Sequence, residues 1–187
     1  MEYYMEDKLR KLECLNSTLK SPKELGGVFL PRGFKKQFDF IFIAEMPSMQ
    51  GPKERKLKNE NYNFNITARD RFLQEMMVKY KVDGSYATDI VKERDIPRYP
   101  TREEIKKWLS FLLKEIKIIH PKVIIVLGKR TYATSFRPFV ESFISKDIKV
   151  EYVFHYSGQV SRKKFEQRFS DVVNRSRNDE RLEKNLK

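Results

Sequence analysis

Four short apolar runs, separated by stretches long enough to hold helices, constrain the fold of this chain more than any other feature. They are predicted strands at residues 39–45, 86–92, 122–127 and 149–155. The first and third runs are almost continuously apolar, which is typical of strands covered on both faces. Because every connection can hold a helix, we expect the strands to be parallel. The predicted fold class is α/β, a three-layer α/β/α sandwich with a central four-stranded parallel sheet.

Helical patterns fill the connections between the predicted strands. Thr67 and Asp70 frame one helix start, and Thr101 and Glu104 have the spacing of a capping box at another. A proline follows His120 and ends that second helix, so we expect His120 to be a C-terminal cap or a surface residue.

The length of 187 residues favours one domain. We expect a single domain over residues 1–175 and a monomer. For residues 176–187, which are polar and charged, we expect a charged C-terminal tail, with a frayed helix end as the alternative. No apolar run is long enough to cross a membrane, and the N-terminus lacks the apolar stretch of a signal peptide, so no membrane partner is expected. These features predict an intracellular, cytoplasmic protein.

Charge favours a nucleic-acid partner. The chain has 39 basic and 26 acidic residues, for a net charge of +13, and such an excess attracts polyanions. The long segment after the first strand contains both cations and aromatic residues, which suit a phosphate backbone and a stacked base. These residues are Lys53, Arg55, Lys56, Lys58, Tyr62 and Phe64. The alternative is a solvated loop whose two aromatic side chains are anchored in the core.

Three chemically versatile residues stand at predicted strand ends. Ligands of a parallel sheet bind beyond the carboxyl ends of its strands, where the sequence places Glu45, Asp89 and His155. A histidine there can donate a hydrogen bond to a developing anion or act as an acid or base. The alternatives are a hydrogen-bonded core histidine and carboxylates that cap the turns after them. The chain has no GxxxxGK[ST] or GxGxxG motif, so it lacks these phosphate-binding loops.

Three motifs at these strand ends are similar to the motifs of one known protein family. IAEMPSMQG (residues 43–51) resembles that family's first motif, Gly-Glu-x-Pro-Gly. TDIVKERDIP (residues 88–97) resembles its Asn-Val-Val-Lys segment. FHYSGQVSR (residues 154–162) resembles its second motif, which begins with His-Pro. By the order and spacing of these motifs, about residues 9–169 of the chain resemble the uracil-DNA glycosylase superfamily, most closely its family 4.

The resemblance implies a monofunctional DNA glycosylase that is associated with a prokaryotic nucleoid. Such an enzyme flips a deaminated base, here expected to be uracil, out of the stack and hydrolyses its N-glycosidic bond in base excision repair. By resemblance, His155 donates to uracil O2, Glu45 orients water or balances the sugar cation, and the backbone near Met46 assists. Phe64 would stack on the base, with Tyr62 as the alternative match. Ser157, Gln159 and Arg162 would contact DNA phosphates.

Several departures from the family are visible in the chain. Family 4 holds an iron–sulfur cluster with four cysteines, but Cys14 is the sole cysteine here. Ser17, Glu93 and Trp108 stand near the places of other ligands. We therefore expect no cluster, and no other metal or organic cofactor. Tyr156 replaces the proline of the second motif.

Asp89 stands where the resemblance places the uracil-reading asparagine. An ionised aspartate only accepts hydrogen bonds, whereas a protonated one both donates and accepts. We therefore expect a relaxed or shifted base specificity that depends on pH, unless Asp89 turns away to cap a backbone amide. An inactive DNA-binding member of the same fold and an unrelated small-molecule enzyme remain as alternative functions.

Overall fold

The fold was analysed in a computed structural model, which describes residues 2–21, 23–31, 36–47, 64, 67–93, 99–158 and 160–185. The elements of its first half are α1 (Glu2–Asn16), β1 (Val28–Leu30), β2 (Gln37–Ala44), α2 (Ala68–Lys79) and β3 (Ser85–Asp89). Those of the second half are α3 (Arg102–Ile119), β4 (Val123–Leu127), α4 (Lys129–Thr131), α5 (Arg137–Phe139), β5 (Lys149–Val153) and α6 (Arg162–Asn185). A π-helical turn (Tyr132–Phe136) joins α4 to α5, and a 3-10 turn (Glu141–Phe143) follows α5. We call residues 129–143 the α4–α5 segment.

The sheet has five strands in the order β1-β3-β2-β4-β5. The four predicted strands are present and pair in parallel, as β2 with β3, β2 with β4, and β4 with β5. The predicted four-stranded, wholly parallel sheet is nevertheless wrong, because β1 adds a fifth strand that runs antiparallel to β3. β1 is only three residues long and lies between two glycines and a proline. So short a run shows no period-2 alternation by which the sequence could reveal it.

Helices cover both faces of the sheet and complete the three layers. On the α2/α6 face, Phe42, Ala44, Ala87 and Val153 pack against apolar side chains of α2 and α6. On the α1/α3 face, Ile41, Ile43, Tyr86 and Val126 pack against α1, α3 and the α4–α5 segment. Since successive strand residues point to opposite faces, the face of each site residue follows from its place in the strand.

The predicted helix ends are confirmed. In α2 the hydroxyl of Thr67 accepts from the Asp70 N–H and the Asp70 carboxylate accepts from the Thr67 N–H, which is a capping box. Thr101 and Glu104 form the same arrangement at α3. His120 is the C-cap of α3, in the left-handed conformation with φ 45°, and its side chain is 56% exposed.

The last helix continues beyond the predicted domain boundary. α6 extends to Asn185, through most of the segment for which the sequence predicts a charged tail or, as the alternative, a helix end. The division of the chain at residue 175 stays a prediction. Within the described ranges, no helix is both long and apolar enough to span a bilayer.

Candidate active site at the carboxyl edge of the sheet

The four parallel strands bring their following residues to one edge of the sheet. Ala44 at the end of β2 is in register with Asp89 at the end of β3. Beyond the strands, the Ile90 and Val91 N–H groups donate to the carbonyls of Ala44 and Glu45 over 2.9 and 3.0 Å. The residues that follow β2 and those that follow β3 therefore lie side by side.

His155 lies two residues beyond β5, at the same edge, and packs over Gly128. The Gly128 N–H donates to the Val153 carbonyl over 2.9 Å, which ties the ends of β4 and β5 together. Gly128 has φ +117°, and a Cβ there would lie 3.4 Å from the His155 Cβ and 3.0 Å from the Thr131 hydroxyl. Glycine at this position allows the imidazole to lie directly against the end of β4.

The hydrogen bonds of His155 determine its tautomer. The backbone N–H of Ser157 donates to Nδ1 over 3.2 Å, and the Ser157 hydroxyl lies 2.7 Å from the same nitrogen. Because a backbone N–H can only donate, Nδ1 must accept, and the neutral ring carries its proton on Nε2. His155 can therefore present an N–H donor at the edge of the sheet.

Burial keeps this imidazole neutral. Desolvation lowers the pKa of His155 below its ordinary value of 6.5, and Arg130 and Arg69 lower it further. The Asp70 carboxylate acts in the opposite direction and raises it, but the net shift is downward. At neutral pH His155 is consequently an uncharged hydrogen-bond donor.

Glu45 is held by two donors from the α4–α5 segment. The Ser135 hydroxyl donates to its Oε1 over 2.6 Å, and the Arg130 guanidinium binds its Oε2. The same guanidinium stacks on the Tyr99 ring, 3.3 Å from the ring centre. Glu45 is 8% exposed, so these contacts compensate the cost of burying its charge.

Glu45 and Asp89 reach the edge on opposite faces of the sheet. Asp89 is in register with Ala44, whose side chain packs on the α2/α6 face. Thr88, one residue earlier, points to the α1/α3 face and hydrogen-bonds Glu115 of α3. Glu45 follows Ala44 and also points to the α1/α3 side, toward Ser135. The two carboxylates therefore cannot act as one catalytic pair, and each needs its own role.

The two proposed base-binding apolar residues also divide between the faces. Phe64 is 4% exposed and packs in the α2/α6 core, with φ 60° and its carbonyl accepting from Gln74 Nε2 over 3.0 Å. Met46 packs against the α1/α3 core. Phe64 thus shares a face with Asp89. Tyr62, the alternative match, lies outside the described residues.

Tyr156 joins His155 to the start of α2. Its ring stacks on the imidazole with centres 4.9 Å apart and planes 15° from parallel. Its hydroxyl donates to Asp70 Oδ1 over 2.9 Å. Burial raises the pKa of Tyr156 well above 10.0, and the Asp70 and Asp89 charges add to that shift. The Tyr156 hydroxyl is therefore a neutral hydrogen-bond donor at every physiological pH.

The predicted DNA-contact residues are only partly described. Lys53, Arg55, Lys56, Lys58 and Gln159 lie outside the described residues. Ser157 directs its N–H and its hydroxyl at His155. Arg162 begins α6, exposed, with its guanidinium 5.0 Å from the centre of the Phe72 ring.

A buried ion pair beneath the edge was missed by the sequence analysis. Lys92 and Glu115 are both 0% exposed, and Lys92 Nζ lies 2.6 Å from Glu115 Oε2. Lys92 also donates to the Asp89 carbonyl over 2.6 Å, while the Thr88 and Tyr86 hydroxyls donate to Glu115. The network anchors the turn that carries Asp89 to α3. The available signal was Glu115 itself, a carboxylate on the apolar stripe of α3.

A cavity of about 190 Å³ opens on the α1/α3 side of this edge. Its lining includes Glu45, Arg130 and Ser135, together with the first turn of α3 and part of the α4–α5 segment. His155, Asp89 and Phe64 are absent from this lining. The cavity therefore belongs to the Glu45 side and not to the face that carries Asp89.

Four residues stand near the positions where the resemblance places the ligands of an iron–sulfur cluster, and their side chains do not fit such a cluster. Cys14 is the one cysteine of the chain and is exposed. The Glu93 carboxylate pairs with Lys107 Nζ over 2.5 Å. Trp108 is buried on α3, and the Ser17 hydroxyl donates to the Cys14 carbonyl. Since such clusters need about four thiolates, this donor set does not support one.

The fold and this edge define an α/β protein with a neutral histidine donor beyond the last strand of its sheet. The profile of the "Uracil DNA glycosylase superfamily" matches residues 26–176. The chain is also 27% identical over 104 residues to a Type-4 uracil-DNA glycosylase of Archaeoglobus fulgidus. That match covers 54% of this chain and 49% of the relative, so it spans about half the length of that curated protein. Because the family profile covers well over half of the chain, the chain belongs to the uracil-DNA glycosylase superfamily.

Proposed function

We propose that this protein is a monofunctional DNA glycosylase that removes a deaminated base, uracil above all, from DNA. The reaction hydrolyses the bond between the sugar C1′ and the base nitrogen. The bond electrons leave with the base, water adds to C1′, and the proton that water loses balances the departing anion. Membership in the superfamily and the similarity to a Type-4 uracil-DNA glycosylase support this class of reaction.

The observation that carries the proposal is the tautomer of His155. Nδ1 accepts from the Ser157 N–H over 3.2 Å, so the Nε2–H is available to donate to O2 of the leaving base. A fixed donor aimed at developing negative charge stabilises the transition state more than the ground state. The ring is partly buried, which reduces competition from water and strengthens that hydrogen bond.

The face that carries Asp89 is the proposed base-binding side. Asp89, Phe64 and Tyr156 share the α2/α6 side of the edge with the stacked His155 ring. A flipped base could gain stacking from Phe64 and edge hydrogen bonds from Asp89, which offset its unstacking cost of a few kcal/mol. The backbone N–H near Met46 would assist at the base.

Glu45 is the second proposed catalytic residue, with a different role from His155. Its charge is held on the α1/α3 side by Arg130 and Ser135. A held carboxylate can balance positive charge on the sugar or orient the attacking water. Its position across the sheet from Asp89 argues against a shared-proton carboxylate pair.

DNA is the proposed partner, and the net charge of +13 supports it. Phosphate contacts are proposed for Lys53, Arg55, Lys56 and Lys58, and in the turn before α6 for Ser157, Gln159 and Arg162. We further propose a monomer that acts on DNA in the cytoplasm without a metal or organic cofactor.

A panel of defined DNA duplexes tests the proposed reaction. Duplexes containing uracil, hypoxanthine, xanthine or mismatched cytosine are incubated with the protein, and released base and abasic sites are measured. Base release by wild type and its loss in His155→Ala is the expected result. Absence of release from every duplex would exclude the activity.

A second candidate function is DNA binding without catalysis. Asp89 in place of the asparagine expected from the resemblance favours it, because an ionised carboxylate repels uracil O4. This candidate predicts salt-dependent DNA binding with no base release from any duplex.

A further inference from the structure

The contacts of Tyr156 link three side chains in a row. The His155 ring stacks on the Tyr156 ring, with their centres 4.9 Å apart. The Tyr156 hydroxyl donates to Asp70 Oδ1 over 2.9 Å. Where the second motif of the family has proline, this chain has a side chain that contacts both a histidine and a carboxylate.

Asp70 is itself fixed from two sides. Its Oδ2 accepts from the N–H and the hydroxyl of Thr67 over 2.7 and 3.0 Å, in the capping box of α2. Its Oδ1 is the atom that accepts from Tyr156. Asp70 is 5% exposed, so its charge acts on its neighbours through a poorly screened environment.

We propose that Tyr156 is a positioning residue for His155: its ring fixes the plane of the imidazole, and its hydroxyl offsets the Asp70 charge that acts on that imidazole. The importance of this role for catalysis rests on the proposed function. The contacts themselves can be tested without any reaction.

The charges around His155 determine what the Tyr156 hydroxyl does. From α2, the Asp70 carboxylate favours the imidazolium and Arg69 opposes it; from α4, Arg130 also opposes it. The Asp89 charge reaches Tyr156 from the end of β3. With the Tyr156 hydroxyl present, an O–H dipole partly neutralises Asp70. Without it, the Asp70 oxygen loses this donor and its charge favours a protonated His155 more strongly.

Nuclear magnetic resonance can follow His155 directly, because the chain has only two histidines. Titration of the ring signals of both histidines gives the pKa of His155, with His120 as an internal reference on an exposed helix end. We expect Tyr156→Phe, which keeps the ring, to raise the pKa of His155 by about 0.5 to 1.

A matched control is available elsewhere in the chain. The Tyr80 hydroxyl donates to Glu166 Oε1 over 2.9 Å, the same kind of pair at a distance from His155. Tyr80→Phe should leave the pKa of His155 unchanged. Asp70→Asn, which can still cap α2, should lower the pKa of His155. In the Asp70→Asn background, Tyr156→Phe should raise the pKa of His155 by less than half as much as it does in wild type. The reason is that the Asp70 charge, which the lost hydroxyl would leave uncompensated, is already absent.

The stacking contact is tested by a second variant and a different signal. The nitrogen chemical shifts of the imidazole distinguish the Nε2–H tautomer from the Nδ1–H tautomer. Tyr156→Phe should retain the Nε2–H tautomer, whereas Tyr156→Leu should give a mixture, because the ring is no longer held in line with the Ser157 N–H.

The results separate this role from the proposed function. A raised pKa of His155 in Tyr156→Phe supports the positioning role even if wild type releases no base. In that case only the proposed function fails. A His155 pKa in Tyr156→Phe equal to that in Tyr80→Phe overturns the role, even if wild type is an active glycosylase. Should Tyr156→Leu not fold, the Tyr156→Phe titration decides.

Discussion

The backbone N–H of Ser157 and Nδ1 of His155 are joined by a hydrogen bond of 3.2 Å, and this bond assigns the histidine proton to Nε2. The donor belongs to the main chain of the turn after β5, so truncating the Ser157 side chain to alanine leaves it in place. The sequence HYSG therefore does more than place a histidine at the edge of the sheet. It also determines which nitrogen of that histidine donates.

The first prediction concerns pH. Burial lowers the pKa of His155 below 6.5, so base release should be constant above about pH 6.5 and fall as the pH drops through that lowered pKa. Protonation of Nδ1 would remove the acceptor for the Ser157 N–H. Single-turnover rates of base release, measured at pH values above and below the pKa of His155, test whether the rate falls with falling pH. A rate that rises as the pH falls would contradict it.

The lowered pKa of His155 also makes the stability of the fold depend on pH. Between the two pKa values the unfolded chain binds more protons at His155 than the folded chain, so this contribution to stability is present above about pH 6.5. It is lost as the pH falls through the folded-state pKa.

The second prediction concerns the buried pair under the edge. Lys92→Met leaves Glu115 buried and charged without its partner, which should lower the free energy of unfolding by about 3 to 5 kcal/mol. Urea denaturation measures the change. Adding Glu115→Gln to Lys92→Met should restore part of the loss, since the unpaired charge is then gone and the amide oxygen can still accept from the Tyr86 and Thr88 hydroxyls.

Lys107→Met is the matched control for this pair. Lys107 also pairs with a glutamate, Glu93, but its side chain is 54% exposed. The control should change stability far less than Lys92→Met. Equal losses in the two variants would show that the Lys92–Glu115 pair has no special role.

The third prediction concerns Asp89. Asp89→Asn supplies both a donor to O4 and an acceptor for N3–H of uracil, so the variant should gain preference for uracil over the other three duplexes. The ratio of kcat/KM values for uracil and for each other base measures this preference. If the ratios match those of wild type, Asp89 does not read the base.

The fourth prediction concerns the basic segment. Reversal of both charges in Lys56→Glu/Lys58→Glu should weaken DNA binding for all sequences and reduce the slope of log Kd against log salt by about 2, one for each lost phosphate contact. The variant Lys114→Glu/Lys117→Glu makes the same change of charge on the exposed surface of α3. An unchanged slope in the first variant, or an equal change in both, would refute a specific contact by this segment.

Much of this architecture could be predicted from the sequence because it is local. Capping boxes join residues three apart, and apolar runs reveal parallel strands without knowledge of their neighbours. His155 could be found in the same way, as a histidine beyond a strand. β1 was missed because three residues carry no periodicity, and it is held by pairing with β3.

The relation between Glu45 and Asp89 could not be predicted because it depends on register. The alternation within one strand gives the relative faces of its own residues only. Which face Asp89 shares with Ala44 is determined by the pairing of β2 with β3, a contact between segments far apart in the chain. The Arg130 contact to Glu45 and the Lys92–Glu115 pair are long-range in the same sense.

The single-turnover rate of uracil release by His155→Ala tests most directly whether His155 is the donor to the leaving base. We predict a rate at least about 100-fold below wild type, with DNA affinity almost unchanged, because the lost donor acts on charge that develops only in the transition state. The variant of the other histidine, His120→Asn, which tolerates the left-handed helix cap, should release uracil at the wild-type rate. A His155→Ala rate equal to that of His120→Asn would contradict the donor role of His155 and assign this residue to the packing of the sheet edge.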